Sequence, residues 1–162
     1  MPDDQALTFE ALYNTHFVRV RNFLRIYLAD ASVVEDIAQD TFLQFWQSPS
    51  RFNPDRANLR AYLFGIARKK AADWWRHREK SADSVAADTV TQGGATAVLM
   101  NDALRQLNPD FRNVLWLREV EGYSYDELAG ILGLPVGTVR SRLFTAREQL
   151  RRVWKTAGKE NL

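Results

Sequence analysis

The sequence predicts an all-α protein made of two small helical domains joined by a flexible linker. Apolar side chains recur at helical spacing on both sides of residues 81–96, a segment of small and polar residues without Lys, Arg or aromatic side chains. No segment alternates as a strand does, and no internal repeat occurs. We therefore predict domains at residues 1–80 and 97–162, with the linker at residues 81–96.

Composition argues against several classes of protein. The chain has 162 residues, of which 46% are apolar, and no cysteine, so disulfides, thiolate catalysis and cysteine–zinc sites are excluded. His16 and His77 are its only histidines, and it has neither a phosphate-cradling glycine loop nor a metal-ligand cluster. We therefore expect no catalytic residues, no metal and no cofactor. Without a long apolar run or an apolar N-terminal segment, we expect no membrane insertion, no secretion signal and a cytoplasmic location.

Three helices are predicted in the N-terminal part. Thr8 is a possible cap for a first helix whose apolar residues recur through residues 9–27. Residues 32–35 read Ser-Val-Val-Glu, a capping box that would open the second helix. The segment 48–54 contains two prolines and would break it, and a third helix is predicted at about residues 59–79.

Turn and cap residues divide the C-terminal part into four helices. The first spans about residues 98–107, the second starts at Asn108-Pro109 and ends at Gly122, the third opens with a capping box at residues 124–127 and stops at Gly133, and the long fourth follows Pro135. A short helix, a glycine turn and a longer helix form the layout of a helix-turn-helix.

The net charge of +2 hides a segregation of charge. Residues 60–80 carry seven Lys or Arg against two acids, and residues 136–155 carry six against Glu148. Basic stretches are commonly solvated helix faces. Two of them on predicted helices that also carry aromatic residues favour a nucleic-acid partner.

The last helix has an apolar stripe at Val139, Leu143, Ala146, Leu150 and Val153, which we expect to be buried. The opposite face then carries Ser141, Phe144 and Thr145, with Arg140 and Arg142 at its flanks. The N-terminal half of such a helix enters the major groove, where arginine binds guanine and an apolar side chain meets a thymine methyl group. The alternative is a generic helical hairpin with a solvated basic face.

Two other helices carry aromatic residues that cannot all be buried. Trp74 and Trp75 are adjacent, so at least one should lie near the surface beside Arg76 and Arg78, where it would suit unstacked single-stranded bases. A basic helix with one buried and one half-buried Trp is the simpler alternative.

On the second helix Val34, Ile37, Ala38, Thr41 and Phe45 face inward, which leaves Leu43 and Trp46 outside among Asp36, Gln39 and Asp40. That arrangement is typical of a protein-binding face, although scattered surface apolar residues are also common.

Three segments together resemble the extracytoplasmic-function group of bacterial RNA polymerase sigma factors. EDIAQDTFLQFWQ (residues 35–47) is similar to region 2.2, LRAYLFGIARKKAADWWRHRE (residues 59–79) to regions 2.3 and 2.4, and YSYDELAGILGLPVGTVRSRLFTAREQLRR (residues 123–152) to region 4.2. The resemblance covers nearly the whole chain. It implies three partners, namely core RNA polymerase, promoter DNA and an anti-sigma protein.

The resemblance also implies roles for individual residues. Asp36, Gln39, Asp40, Leu43 and Trp46 would dock on the clamp helices of the largest polymerase subunit. Phe52 and Asn53, in the loop of residues 48–58, would capture a flipped base of the minus-ten element, and Lys69, Trp74, Trp75 and Arg76 would hold the displaced strand. Arg140, Ser141, Arg142, Phe144 and Thr145 would contact the minus-thirty-five duplex, with Thr138 near a phosphate. Lys69 and Thr145 depart from the Asn and the basic residue that many members carry, so the preferred bases stay open.

The main rival interpretation is a stand-alone helix-turn-helix regulator whose N-terminal domain senses a ligand. That protein would need an apolar pocket in its N-terminal domain, and it would have no use for an exposed Leu43 or Trp46.

Overall fold

The computed structural model describes residues 8–55, 58–80 and 95–160 of the chain. Seven α-helices contain most of these residues, and no β-strand occurs among them, which confirms the predicted all-α class. The helices are α1 Phe9–Leu24, α2 Ala31–Gln47, α3 Leu59–Lys80, α4 Ala95–Arg105, α5 Pro109–Leu115, α6 Tyr125–Leu132 and α7 Val136–Glu160.

The chain divides into two compact units between residues 88 and 89. The first contains α1–α3 and the second α4–α7. Most of the predicted linker, residues 81–94, lies outside the described residues. The domain limits at residues 80 and 97 therefore stay predictions.

Aromatic rings form much of the core of the first unit. Phe23 of α1 and Phe64 of α3 lie 4.9 Å apart between ring centroids. Tyr13 and Phe17 stack at 4.4 Å, and both approach the fully buried Phe42 of α2. Each ring removes a large apolar area from water, so three helices are sufficient to build a core.

The first helix begins as predicted and ends about one turn earlier. Thr8 caps it, because its Oγ1 accepts a hydrogen bond from the Ala11 amide at 3.1 Å. After Leu24 the backbone tightens, and the Tyr27 amide donates to the Leu24 carbonyl three residues back at 3.0 Å. Tyr27 is buried in this turn rather than in the helix. Its apolar side chain extended the periodic pattern beyond the helix.

The predicted capping box at Ser32 is wrong. The cap of α2 is Asp30, whose Oδ1 accepts hydrogen bonds from the amides of Ser32 at 2.9 Å and Val33 at 3.4 Å. The true cap, Asp30, lies two residues before the predicted cap and satisfies these otherwise unpaired amides. Ser32 therefore lies inside the first turn of α2. Glu35 instead lies 3.6 Å from Arg21 of α1, as an ion pair between two helices.

The helix that starts at Asn108 changes its winding before it ends. Asn108 caps α5 as predicted, accepting from the Asp110 amide at 3.0 Å. Beyond Leu115 the chain continues as a π-helical turn, Trp116–Val120, in which the Glu121 amide reaches back five residues to the Trp116 carbonyl at 3.1 Å. The helical segment predicted to start at Asn108 therefore consists of an α-helix followed by a π-helical turn, and Gly122 ends it with φ +77° as predicted.

The remaining observations concern the start of α4 and the length of the apolar helices. The helix predicted at about residues 98–107 runs earlier, as α4 Ala95–Arg105. No helix in the described part of the chain is long and apolar enough to cross a membrane.

The cap assignment of α2 gives a testable prediction. Asp30→Ala should lower the free energy of unfolding of the first unit by about 0.5–2 kcal/mol, because two amides lose their acceptor. Ser32→Ala should change it by less than about 0.5 kcal/mol. Urea unfolding followed by tryptophan fluorescence measures both. A larger loss for Ser32→Ala would contradict the assignment.

Candidate functional site

The second unit contains the predicted helix-turn-helix. Both hydrogen bonds of the capping box open α6, since the Glu127 amide donates to Ser124 Oγ at 3.1 Å and the Ser124 amide donates to Glu127 Oε1 at 3.3 Å. The helix ends at Gly133, whose φ of 66° is left-handed and favours glycine. The Leu134 amide then donates to the Ala129 carbonyl at 3.0 Å. This closed turn leads directly into α7.

One stripe of α7 is buried against the preceding helices. Val139, Leu143 and Ala146 are fully buried, and Leu150 and Val153 are half-buried. The predicted stripe is therefore confirmed, with burial decreasing along the helix. This packing determines which side of α7 is exposed.

The outward side of α7 carries an aromatic ring among polar and basic groups. Phe144 is 69% exposed. Arg140, Ser141 and Thr145 are exposed around it, and Thr138 is half-buried in the first turn. Ser141 Oγ donates to the Thr138 carbonyl at 3.0 Å. An exposed ring beside cations on the first half of a second helix suits the edges of bases in a major groove.

The arginines of α7 differ in their contacts with carboxylates. The Arg142 NH1 atom lies 3.7 Å from Asp110 Oδ2 of α5. Arg147 donates twice to Glu119 Oε1, at 2.6 and 3.1 Å, and Arg151 donates to Glu148 at 2.6 Å. The hydrogen bond to Glu119, and to a smaller extent that to Tyr125, raises the pKa of Arg147 above its usual value. Arg140 makes no ion pair with any described side chain, so it is more available than Arg142, the other α7 arginine predicted to contact DNA.

The Trp pair at the end of α3 is half-exposed. Trp75 is 42% exposed, and its indole N–H donates to the Tyr27 carbonyl at 3.0 Å. Trp74 is half-buried, lies edge-on to Trp75 at 5.0 Å and has the Arg78 guanidinium 5.1 Å above its ring. Neither ring is fully buried. The pair thus presents aromatic surface beside basic groups, as the adjacency of the two residues predicted.

Two other residues predicted to bind melted DNA lie on the same helix. Lys69 is exposed. Arg76 is also exposed and forms an ion pair with Asp73 one turn earlier. A phosphate would have to compete with that carboxylate for Arg76, whereas Lys69 makes no ion pair within the described chain.

The loop between α2 and α3 is anchored by an aromatic cluster. Phe52 is half-buried between Phe45 at 6.0 Å and Tyr62 at 5.2 Å. The neighbouring Asn53 is exposed and accepts from the Asp55 amide at 2.9 Å. The ring therefore fixes the base of the loop and leaves Asn53 at its surface. Sequence reasoning missed the anchoring role of Tyr62, although its position one turn into α3 was a signal.

The outer face of α2 carries the expected apolar side chains. Leu43 is 47% and Trp46 44% exposed, and Asp36, Gln39 and Asp40 are exposed around them. All five residues predicted to face inward are buried, and so is Phe42, which was not predicted. Trp46 also touches Phe9 of α1 edge-on at 5.7 Å. The buried residues of α2 and the contact with α1 therefore fix the position of the exposed face.

Comparison with known proteins assigns the chain to a family. Family models described as Sigma-70 region 2 and Sigma-70, region 4 match residues 12–81 and 98–150. The ECF RNA polymerase sigma-E factor of Escherichia coli (strain K12) is 32% identical over 137 residues, covering 72% of this chain and 71% of that protein. The RNA polymerase sigma factor CarQ of Myxococcus xanthus is 33% identical over 153 residues, covering 88% of this chain and 87% of CarQ. The chain belongs to the extracytoplasmic-function RNA polymerase sigma factors.

Solved structures of other sigma factors resemble this one. The sigma factor RpoE of Bartonella quintana, solved with the anti-sigma factor NepR, is 28% identical with a TM-score of 0.74, covering 91% of this chain and 96% of that chain. CnrH, solved with the cytosolic domain of CnrY, is also 28% identical, with a TM-score of 0.69 and coverage of 91% and 88%.

The two family matches coincide with the two units of this sigma factor. The region 2 match contains most of α1 and all of α2 and α3, and the region 4 match contains most of α4, all of α5 and α6, and α7 as far as residue 150. Every predicted contact residue lies within one of them. Family membership favours a transcription initiation factor over a stand-alone regulator.

Proposed function

We propose that this sigma factor binds core RNA polymerase and directs it to promoters by dividing DNA recognition between its two units. The second unit reads duplex DNA, and the first captures melted DNA and anchors to the enzyme. The observation that carries the proposal is the occurrence, on separate units of one chain, of an exposed Phe144 on a helix-turn-helix and a half-exposed Trp75 on a basic helix.

Recognition of the minus-thirty-five element falls to the exposed side of α7. Arg140 and Phe144 are the most accessible groups for base edges, and the exposed hydroxyl groups of Ser141 and Thr145 add short hydrogen-bonding contacts. Thr138, near the start of the helix, is close to the phosphate backbone. Arg142 completes this set from the flank of the helix.

Recognition of the melted minus-ten element falls to α3 and the loop before it. Extrusion of a base costs a few kcal/mol, which stacking and a fitted pocket must offset. Asn53, with Phe52 at the base of the same loop, would contact the extruded base, and Trp74 and Trp75 offer ring faces to the displaced strand. Lys69 and Arg76 neutralise its phosphates.

Binding to polymerase falls to the outer face of α2. Leu43 and Trp46 provide a compact apolar centre, and Asp36, Gln39 and Asp40 provide a polar and acidic rim. This pattern is that of a protein interface with a dry centre and a hydrated edge.

Cooperation between the units depends on the segment between them. A linker between the units, predicted at residues 81–96 although residues 95 and 96 belong to α4, would let the polymerase surface set their separation. Neither unit needs to bind DNA tightly, because the first contact raises the effective concentration of the second.

The remaining assignments follow from the family. The solved relatives were captured with anti-sigma factors or, for CnrH, with the cytosolic domain of CnrY. An anti-sigma protein is accordingly the proposed inhibitor of this chain, which would act in the cytoplasm and catalyse no reaction of its own.

Run-off transcription on a random promoter library tests the proposed function. The purified chain is added to bacterial core polymerase in the absence of any inhibitor, and the transcribed templates are sequenced. We expect transcription that depends on the chain, from templates enriched in two motifs at a fixed spacing. Transcripts that are equally abundant without the chain would refute the proposal.

The polymerase face predicts the behaviour of a double variant. Leu43→Ala combined with Trp46→Ala should weaken binding to core polymerase at least tenfold, because apolar anchors at an interface centre contribute about 2 kcal/mol or more together. Fluorescence anisotropy measures binding, and circular dichroism checks that helicity is retained. Val18→Ala, at another exposed apolar residue on α1, is the matched control and should bind normally. Normal binding of the double variant would remove this face from the polymerase interface.

The exposed ring at the end of α3 predicts a defect in strand opening. Trp75→Ala should reduce the permanganate reactivity of promoter thymines several-fold, because stacking contributes about 1–3 kcal/mol per base. Duplex binding should change little. Trp75→Phe keeps a ring but loses the hydrogen bond to Tyr27, so it should retain most of the reactivity. If Trp75→Phe is as defective as Trp75→Ala, the hydrogen bond rather than the ring face is important.

A further inference from the structure

Asp110 reaches the recognition helix from outside the helix-turn-helix. It lies in the first turn of α5, and its Oδ2 is 3.7 Å from Arg142 NH1 on α7. The Asp110 side chain is 60% exposed, whereas that of Arg142 is only 31% exposed. Arg142 thus leaves α7 at the edge of the buried stripe, with a carboxylate beside its guanidinium before any DNA is present.

A carboxylate beside an arginine changes which DNA groups the arginine can bind. The guanidinium presents five donors in a rigid plane, so one edge can face a carboxylate while another faces a base. A phosphate contact attracts the cation from any direction and occurs at every step of the duplex. To follow a phosphate, Arg142 would have to leave Asp110. A base edge directly in front of the oriented plane does not require that movement.

We propose that Asp110 is a specificity-determining residue of the minus-thirty-five contact, an inference that rests on the proposed function. It holds the Arg142 guanidinium in one orientation, which favours a base edge and disfavours phosphates. Asp110 acts through Arg142 and touches no DNA itself, so it is a positioning residue.

The chain contains a comparable ion pair that should not have this effect. Counted at 100° per residue, Arg142 lies about 60° to one side of Val139 and Arg147 about 80° to the other. Arg147 donates two hydrogen bonds to Glu119, a closer contact than the 3.7 Å ion pair of Arg142 with Asp110, but Arg147 is not among the proposed DNA contacts. Glu119→Gln therefore removes an anchor of α7 without releasing a base-reading arginine.

A second comparison separates the ion pair from the effect of net charge. Asp126 is the second residue of α6, as Asp110 is of α5, and both helices have a side-chain N-cap. Asp126→Asn removes the same charge from the same helical position. Asp126 makes no ion pair with any described arginine.

The experiment compares holoenzymes reconstituted with these variants on two DNA probes. One probe is a promoter carrying the upstream motif selected from the random library, and the other carries the same motif scrambled. For Asp110→Asn we expect binding to the scrambled probe to rise relative to the selected one, so that the discrimination ratio falls about two- to fivefold, the range of one exposed ion pair. Binding to the scrambled probe should also become more salt-dependent, by about one phosphate contact.

The controls determine what each outcome means. Asp110→Glu should restore most of the ratio, and Asp126→Asn and Glu119→Gln should leave it near the wild-type value. In an Arg142→Ala background, Asp110→Asn should have no further effect. An unchanged ratio for Asp110→Asn, or an equal fall in either control, would overturn the role of Asp110 alone. A wild-type holoenzyme that does not distinguish the probes would instead overturn the proposed function of α7.

Discussion

Burial of a single stripe on each helix is the constraint from which the exposed faces of α7 and α2 follow. In α7, Val139, Leu143 and Ala146 pack inward, and burial of Val139 and of Leu143 stabilises the small core by about 1.5–3 kcal/mol each. At 100° per residue this choice leaves Phe144 outside, one position after Leu143. The same rule applies to α2, where burial of Phe42 and Phe45 leaves Leu43 and Trp46 exposed. The exposed residues are thus determined by the buried ones.

The features that the sequence predicts well are those that depend on residues only a few positions apart. The capping box of Ser124 and Glu127, the cap at Asn108 and the glycine turn at Gly133 all depend on local geometry, and the structure contains them. The inward stripe of α2 was predicted for the same reason, because helical periodicity is a local property. The Trp pair followed from simple adjacency.

The features that sequence reasoning missed depend on distant or competing partners. Asp30 and Ser32 are both good capping residues two positions apart, so residue type alone does not decide between them, and the structure uses Asp30. The spacing of residues along the sequence does not signal the wide turn at Trp116–Val120. The ion pairs of Arg142 with Asp110 and of Arg147 with Glu119 join residues about thirty positions apart. No spacing pattern identifies these pairs, so the sequence alone does not show that two arginines of α7 face carboxylates of other helical segments.

The ion pairs of α7 also limit the charge that the free helix offers to DNA of any sequence. Chromosomal DNA offers about a million or more sites to any strongly cationic surface, and such a surface is retained there by counterion release. Arg142, Arg147 and Arg151 each lie beside a carboxylate, so a DNA phosphate would have to compete with that carboxylate for each of these three cations.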